Sequence, residues 1–287
     1  MRTLIAGGLL AFALAVFSAR AEPIRIVAAE KVYGDIAGQI GGANVTVTSI
    51  LTHPNQDPHE FEASAATARA MADARVVIYN GVDYDPWAVK LLSASKSPSR
   101  EVIEVAGLIG KKAGDNPHLW YETAAIFELA ATLAARLTRL DPAHHLDYAG
   151  RVETFETSMR PLRERITALR ARYAGTPVTA TEPVFDYMAD ALGLKMRNGR
   201  FQLAVMNGTE PGAAAIAAFE RDLRTHAVKV LLYNTQTGQA LAERMRTIAN
   251  HAGVPVVAIT ETEPEGKSYQ EWMLSQLDAL DRALGGR

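Results

Sequence analysis

The chain has 287 residues, with 30 Lys and Arg against 32 Asp and Glu, and no cysteine. That length suffices for two domains with cores of their own. The near-neutral charge gives no electrostatic reason to expect nucleic acid or a membrane surface. The missing thiols exclude disulfides, thiolate metal ligands and a cysteine nucleophile.

The chain opens on "MRTLIAGGLLAFALAVFSARAE". Arg2, the apolar run from Leu4 to Phe17 and the small-x-small site Ala19-Arg20-Ala21 have the order of a secretory signal peptide. The run is short for a membrane span, and its removal would start the mature chain near Glu22. Arg2 and Arg20 leave with it, so 28 basic residues face 32 acidic ones and the formal charge falls from −2 to −4. Without a cysteine to carry a lipid, an exported and untethered protein of a Gram-negative periplasm is expected.

In the mature chain, short β-branched runs alternate with helical patterns. "IRIVAA" (24–29), "VTVTSIL" (45–51) and "ARVVIYNG" (74–81) read as strands, with helices over 32–40 and 65–73. The pattern restarts with strands "PVTATE" (177–182), "VKVLLYN" (228–234) and "VPVVAITE" (254–261). Helices are predicted near 184–192, 212–224 and 238–251, and a closing one from Tyr269 to Leu284. Such alternation implies mostly parallel sheets flanked by helices. Between the two sets, Tyr148, Val152, Phe155, Met159, Leu162, Ile166, Leu169 and Tyr173 recur every three or four residues, one apolar face of a long helix. Pro161 interrupts it, and a kink is expected because the apolar phase continues across the proline. The organisation is thus a signal peptide (1–21), an α/β lobe (22–140), a linking helix (141–173) and a second α/β lobe (174–287). No repeats, low complexity or flexible linker stand out. A cleft between the lobes, at the carboxyl ends of the strands, is the expected ligand site.

Two of the seven histidines directly follow a proline: His59 in "NQDPHEFEAS" and His118 in "GDNPHLWYE". The proline stiffens each turn and presents the imidazole from it. His53, His144, His145, His226 and His251 lack that context and read as surface residues. In the second half, Glu182 and Glu261 close two strands before proline-containing loops. Neutral imidazoles with carboxylates form a common set of donors for a divalent transition metal, and sequence spacing leaves their convergence open.

With those residues in view, the chain resembles the metal-binding receptors of bacterial ABC importers for zinc and manganese, a family that also contains surface-antigen adhesins. The resemblance spans the mature chain. "DPHEFEAS" and "NPHLW" match the segments that supply one histidine ligand each, here His59 and His118. "TEPVFDYMADALGLK" and "ITETEPEGKSYQEWM" match the third and fourth ligand segments, placing Glu182 and Glu261 as ligands. The fourth ligand is usually aspartate, and Glu263, two residues on along an extended segment, is a rival. Asn234 stands where many relatives carry an acidic or serine-rich stretch, and the histidine-rich loop of many zinc receptors is missing.

The resemblance implies two α/β lobes bridged by one long helix, with the metal site in the cleft. It implies a monomeric periplasmic receptor that hands its ion to an ABC permease in the inner membrane. Two imidazoles with two carboxylates are oxygen-rich, which favours Mn²⁺ or Fe²⁺ as cargo, with Zn²⁺ the alternative. Nothing in these residues supports adhesion directly. A receptor for an organic solute or a metal chelate, and a secreted metallohydrolase, are the competing readings. The hydrolase is disfavoured because the chain has no H-E-x-x-H or G-x-S-x-G motif and four protein ligands would close the metal shell to substrate.

Overall fold

A computed structural model describes residues 22–53, 61–236 and 238–286. The predicted signal peptide and His59 lie outside the described residues. The first half builds strands β1 (Ile24–Glu30), β2 (Val45–Leu51), β3 (Val76–Tyr79) and β4 (Glu101–Glu104). They form one sheet in the order β2-β1-β3-β4, parallel throughout, with Ile26 in register with both Val47 and Val76. The second half repeats this plan. Strands β5 (Pro177–Ala180), β6 (Lys195–Arg197), β7 (Leu231–Asn234) and β8 (Val256–Ile259) are parallel in the order β6-β5-β7-β8. In each sheet the order reverses between the first and third strands, where the carboxyl ends open a crevice.

The helices predicted over 32–40, 65–73, 212–224 and 238–251 form within a few residues of those bounds. α1 (Lys31–Gly41) buries Val32, Tyr33, Ile36, Ala37 and Ile40 on the first sheet. It packs so closely that a Cβ on Gly34 would collide with the Ser49 side chain of β2. α2 (Ala65–Asp73) is capped by Ser64, whose hydroxyl accepts the Thr67 N–H at 3.1 Å. α3 (Pro86–Ala94) and the short α4 (Val105–Leu108) follow β3 and β4. α5 (Thr123–Leu140) buries a full apolar stripe from Ala125 to Leu137.

The linking helix is bent. It consists of α6 (His145–Ser158) and α7 (Arg160–Tyr173), with only Met159 between them. Met159 stays in the helical region at φ −79°, ψ −12°, but Pro161 brings no N–H and its ring crowds the preceding turn, so the helix restarts there. The apolar face runs through the bend: Tyr148, Phe155, Met159, Leu162 and Leu169 are buried.

The second half adds α8 (Asp186–Ala191), α9 (Gly199–Met206), α10 (Ala213–Arg224), α11 (Ala240–Ala252) and α12 (Tyr269–Gly285). α12 begins at a capping box made by Ser268 and Glu271. The main apolar cluster runs without interruption from β1 and α1 through α5, α6 and α7 to α12 and the inner face of the second sheet. A smaller cluster around Phe201, Phe219, Leu231 and Met245 fills the outer face of that sheet. Among the described residues no helix is long and apolar enough to cross a membrane.

Candidate metal centre

The strand ends aim at one another across the two halves. His118 precedes a single helical turn, Leu119–Tyr121, and is fully buried. Asn116 Oδ1 accepts both the His118 backbone N–H at 3.0 Å and Nδ1 at 2.7 Å. The Asn116 amide nitrogen donates to the Pro183 carbonyl at 2.6 Å. That bond fixes which end of the amide is oxygen, so His118 Nδ1 carries a proton, and Nε2 is the ring nitrogen left to meet a ligand. Nε2 lies 3.5 Å from Glu261 Oε2. The ring is walled by Trp120 at 5.4 Å and Tyr84 at 6.2 Å between centroids, both edge-on.

Glu261 follows β8 and is buried. Its backbone N–H and that of Thr262 both donate to Gln236 Oε1, at 2.6 and 2.8 Å, which holds a bend at this point. Glu182 lies two residues beyond β5, extended at φ −143°, and is also buried. Between the two glutamates stands Asn234, the last residue of β7. Its Nδ2 donates to Glu182 Oε2 at 2.5 Å and to Glu261 Oε1 at 2.7 Å. Glu182, just past β5, and Asn234, at the end of β7, therefore sit at the two strands that flank the crevice of the second sheet.

Tyr84 reaches Glu261 Oε2 from the first half with a 3.0 Å hydrogen bond, and burial followed by the Glu261 charge raises its phenol well above the usual range. It is delivered by a strained loop. Gly81, Val82 and Asp83 all adopt left-handed φ, of 82°, 55° and 58°, a conformation costly for a β-branched valine. Asp85 holds that loop by accepting the N–H groups of Asn80 and Gly81 at 2.6 and 2.9 Å, and burial pushes its carboxyl up to about 6.

Glu263 faces elsewhere. Lys31 Nζ lies 3.3 Å from Glu263 Oε1 and also donates to the Glu263 and Pro264 carbonyls. Burial, with the charge of Asp35, pushes the Glu263 carboxyl up to about 8, against the pull of Lys31. The extended geometry that would put Glu261 and Glu263 on one side is broken by the bend at Glu261–Thr262. Of the residues singled out from sequence, the structure thus joins His118 to Glu261 directly and Glu182 to Glu261 through Asn234. His59 lies outside the described residues. Among the described residues, no three His, Asp or Glu side chains converge closely enough to hold an ion by themselves.

Asn116, Gln236 and Tyr84 are not singled out from sequence, and Asn234 only as a departure from the family pattern. Asn116 stood inside the quoted Asn-Pro-His motif, which was the one available signal for it. The others meet the site through contacts distant in sequence.

The family model for zinc-uptake complex component A, periplasmic, matches residues 26–283. The chain belongs to that family. A putative metal-binding protein of Treponema pallidum is 24% identical over 274 residues, covering 87% of this chain and 83% of its own. The manganese ABC transporter substrate-binding lipoprotein PsaA of Streptococcus mitis is 23% identical, covering 93% and 91%. Among solved structures, the periplasmic zinc-binding protein TroA of T. pallidum superposes with a TM-score of 0.75 over 91% of this chain and 99% of its own, at 16% identity. The two lobes of four parallel strands joined by a long bent helix are therefore the fold of the zinc-uptake component A family, as the resemblance implied. The metal-binding character of the family agrees with the buried imidazole and carboxylates described above.

Proposed function

We propose that this chain is a periplasmic receptor that captures a divalent transition-metal ion and delivers it to an ABC permease, and that it is not an enzyme. The observation that carries this reading is His118: buried between the two halves, with Nδ1 committed to Asn116 and Nε2 directed at the Glu261 carboxylate. A metal-ligating imidazole usually donates its other ring N–H to a fixed oxygen, a part that Asn116 Oδ1 plays here. We assign His118, Glu182 and Glu261 as ligands, with His59 as the fourth donor from the sequence motif. His59 and His118 belong to the first lobe (22–140) and the glutamates to the second (174–287), so the ion staples the two together. Glu263 serves instead as the partner of Lys31. The two-nitrogen, two-oxygen donor set favours Mn²⁺ or Fe²⁺ over Zn²⁺ compared with a three-histidine site. The streptococcal relative is named a lipoprotein, whereas these 287 residues contain no cysteine to carry a lipid; a monomer is proposed from the family resemblance.

Elemental analysis of protein purified without chelators, with thermal unfolding in EDTA and after adding Mn²⁺ or Zn²⁺, tests the reading. An ion at a hundred times its dissociation constant adds about 2.7 kcal/mol, which raises the midpoint by roughly 5–10 °C in a chain of this size. A midpoint unchanged in every condition, with no metal in the purified protein, would overturn it.

A further inference from the structure

Asn234 is 2% exposed, and both polar atoms of its side chain are engaged. Its side-chain orientation is dictated by its neighbours. Oδ1 accepts the Gln236 N–H at 3.0 Å, so turning the amide over would set a carbonyl oxygen against two carboxylates. Its backbone N–H donates to Thr181 Oγ1 at 3.0 Å, which ties it to the end of β5 beside Glu182. The amide nitrogen therefore has one fixed task, to hold one oxygen of Glu182 and one of Glu261.

We propose, resting on the metal-receptor reading above, that Asn234 sets the denticity of the two glutamates and thereby limits how strongly the site prefers manganese over zinc. A carboxylate binds an ion through both oxygens only if both turn toward it. With Glu182 Oε2 and Glu261 Oε1 on the Asn234 amide, each glutamate meets the ion through its other oxygen. For Glu261 that oxygen is Oε2, which faces His118 Nε2 at 3.5 Å and also accepts the Tyr84 hydroxyl at 3.0 Å. One bond rather than two from each glutamate lowers the coordination number toward the four that zinc accepts best, whereas manganese gains from additional oxygens. The oxygen-rich donor set pulls toward manganese and Asn234 pulls back toward zinc. Asn234 is a positioning residue that touches the ion through its neighbours only.

The test compares the full chain with Asn234→Ala and Asn234→Ser, measuring Zn²⁺ and Mn²⁺ affinities by competition with a chromogenic chelator. Loss of such a supporting partner lowers metal affinity by about 10–100-fold. Here the loss should fall on Zn²⁺, moving the Zn²⁺/Mn²⁺ affinity ratio toward Mn²⁺ by about tenfold in the alanine variant. The serine variant, with a single hydroxyl donor, should move it less. Co²⁺ bound to the wild type should show the intense visible bands of a four-coordinate ion, and these should weaken in the alanine variant as a carboxylate chelates. A purely structural role would lower both affinities together and leave the cobalt spectrum alone, which would overturn the inference. Where a variant does not fold, X-ray absorption of the wild-type Zn²⁺ complex decides: a shell of more than four light atoms overturns it and four supports it. If the wild type takes up neither ion, the receptor reading itself fails, a result separate from all of these.

Discussion

Replacing Asn116 by alanine removes three hydrogen bonds at once: two to His118 and one to the Pro183 carbonyl. At about 1 kcal/mol each, and with a buried imidazole N–H left unmatched, the metal-free protein should lose about 3–4 kcal/mol. The second effect is on binding. Without Asn116 the His118 ring loses the contact that sets its proton on Nδ1, and a lost orienting partner costs about 10–100-fold in affinity, about 1.4–2.8 kcal/mol. Asn116→Asp separates the two effects. It keeps an oxygen for both His118 contacts but sets a carboxylate against the Pro183 carbonyl, so it should destabilise the apo protein while preserving ion binding. Urea unfolding in EDTA reads the first quantity and chelator competition with Zn²⁺ and Mn²⁺ the second. If Asn116→Ala loses stability yet binds both ions at the wild-type affinity, His118 is not a ligand oriented by Asn116 and the reasoning fails.

Glu182→His exchanges an oxygen donor for nitrogen and should shift the Zn²⁺/Mn²⁺ affinity ratio toward zinc; a ratio that does not move removes Glu182 from selectivity. Burial, aided by the charge of Asp190, pushes the Asp186 carboxyl from 3.8 up to about 7. The folded chain holds that proton more tightly than the unfolded chain, so the contribution to stability is complete below about pH 4 and is lost as the pH rises through 7. The shift sets a ceiling of about 4 kcal/mol, which partial exposure and the α8 N-terminus reduce to roughly 1–2. Asp186→Asn should therefore raise the unfolding midpoint at pH 8 and flatten its rise on acidification; a profile parallel to the wild type would show that Asp186 does not control it.

The central strands and amphipathic helices were legible because burial on a sheet or a core leaves a pattern. β1, β2, β3, β5, β7 and β8 all carry β-branched or aliphatic runs, and α2 fell on the predicted residues. β4 and β6 were missed. "EVIE" and "KMR" are short and charged, as edge strands that avoid further pairing tend to be, and such segments carry little hydrophobic signal. The site divides in the same way. His118, Glu182 and Glu261 announce themselves by their position after a proline or a strand. Their partners do not: Tyr84 lies 177 residues from Glu261, and Asn234 lies 52 from Glu182. No local pattern encodes such a meeting, which exists only once both sheets are built.

The course of α12 bears on how such a chain is made. Tyr269 donates to the Trp120 carbonyl at 2.9 Å and takes Asp35 as acceptor for its backbone N–H, while Gln270 pairs with Gln39 of α1. Trp272, Met273, Leu277 and Leu280 are buried in the same cluster as β1 and α1. Of the described helices, the one latest in the chain thus completes the surface of the first. During synthesis the amino-terminal sheet waits with one apolar flank uncovered until α12 has been made. A polypeptide stopped short of α12 would emerge sticky and incomplete at both ends. Closure of the first lobe is thereby tied to the synthesis of the carboxyl-terminal helix.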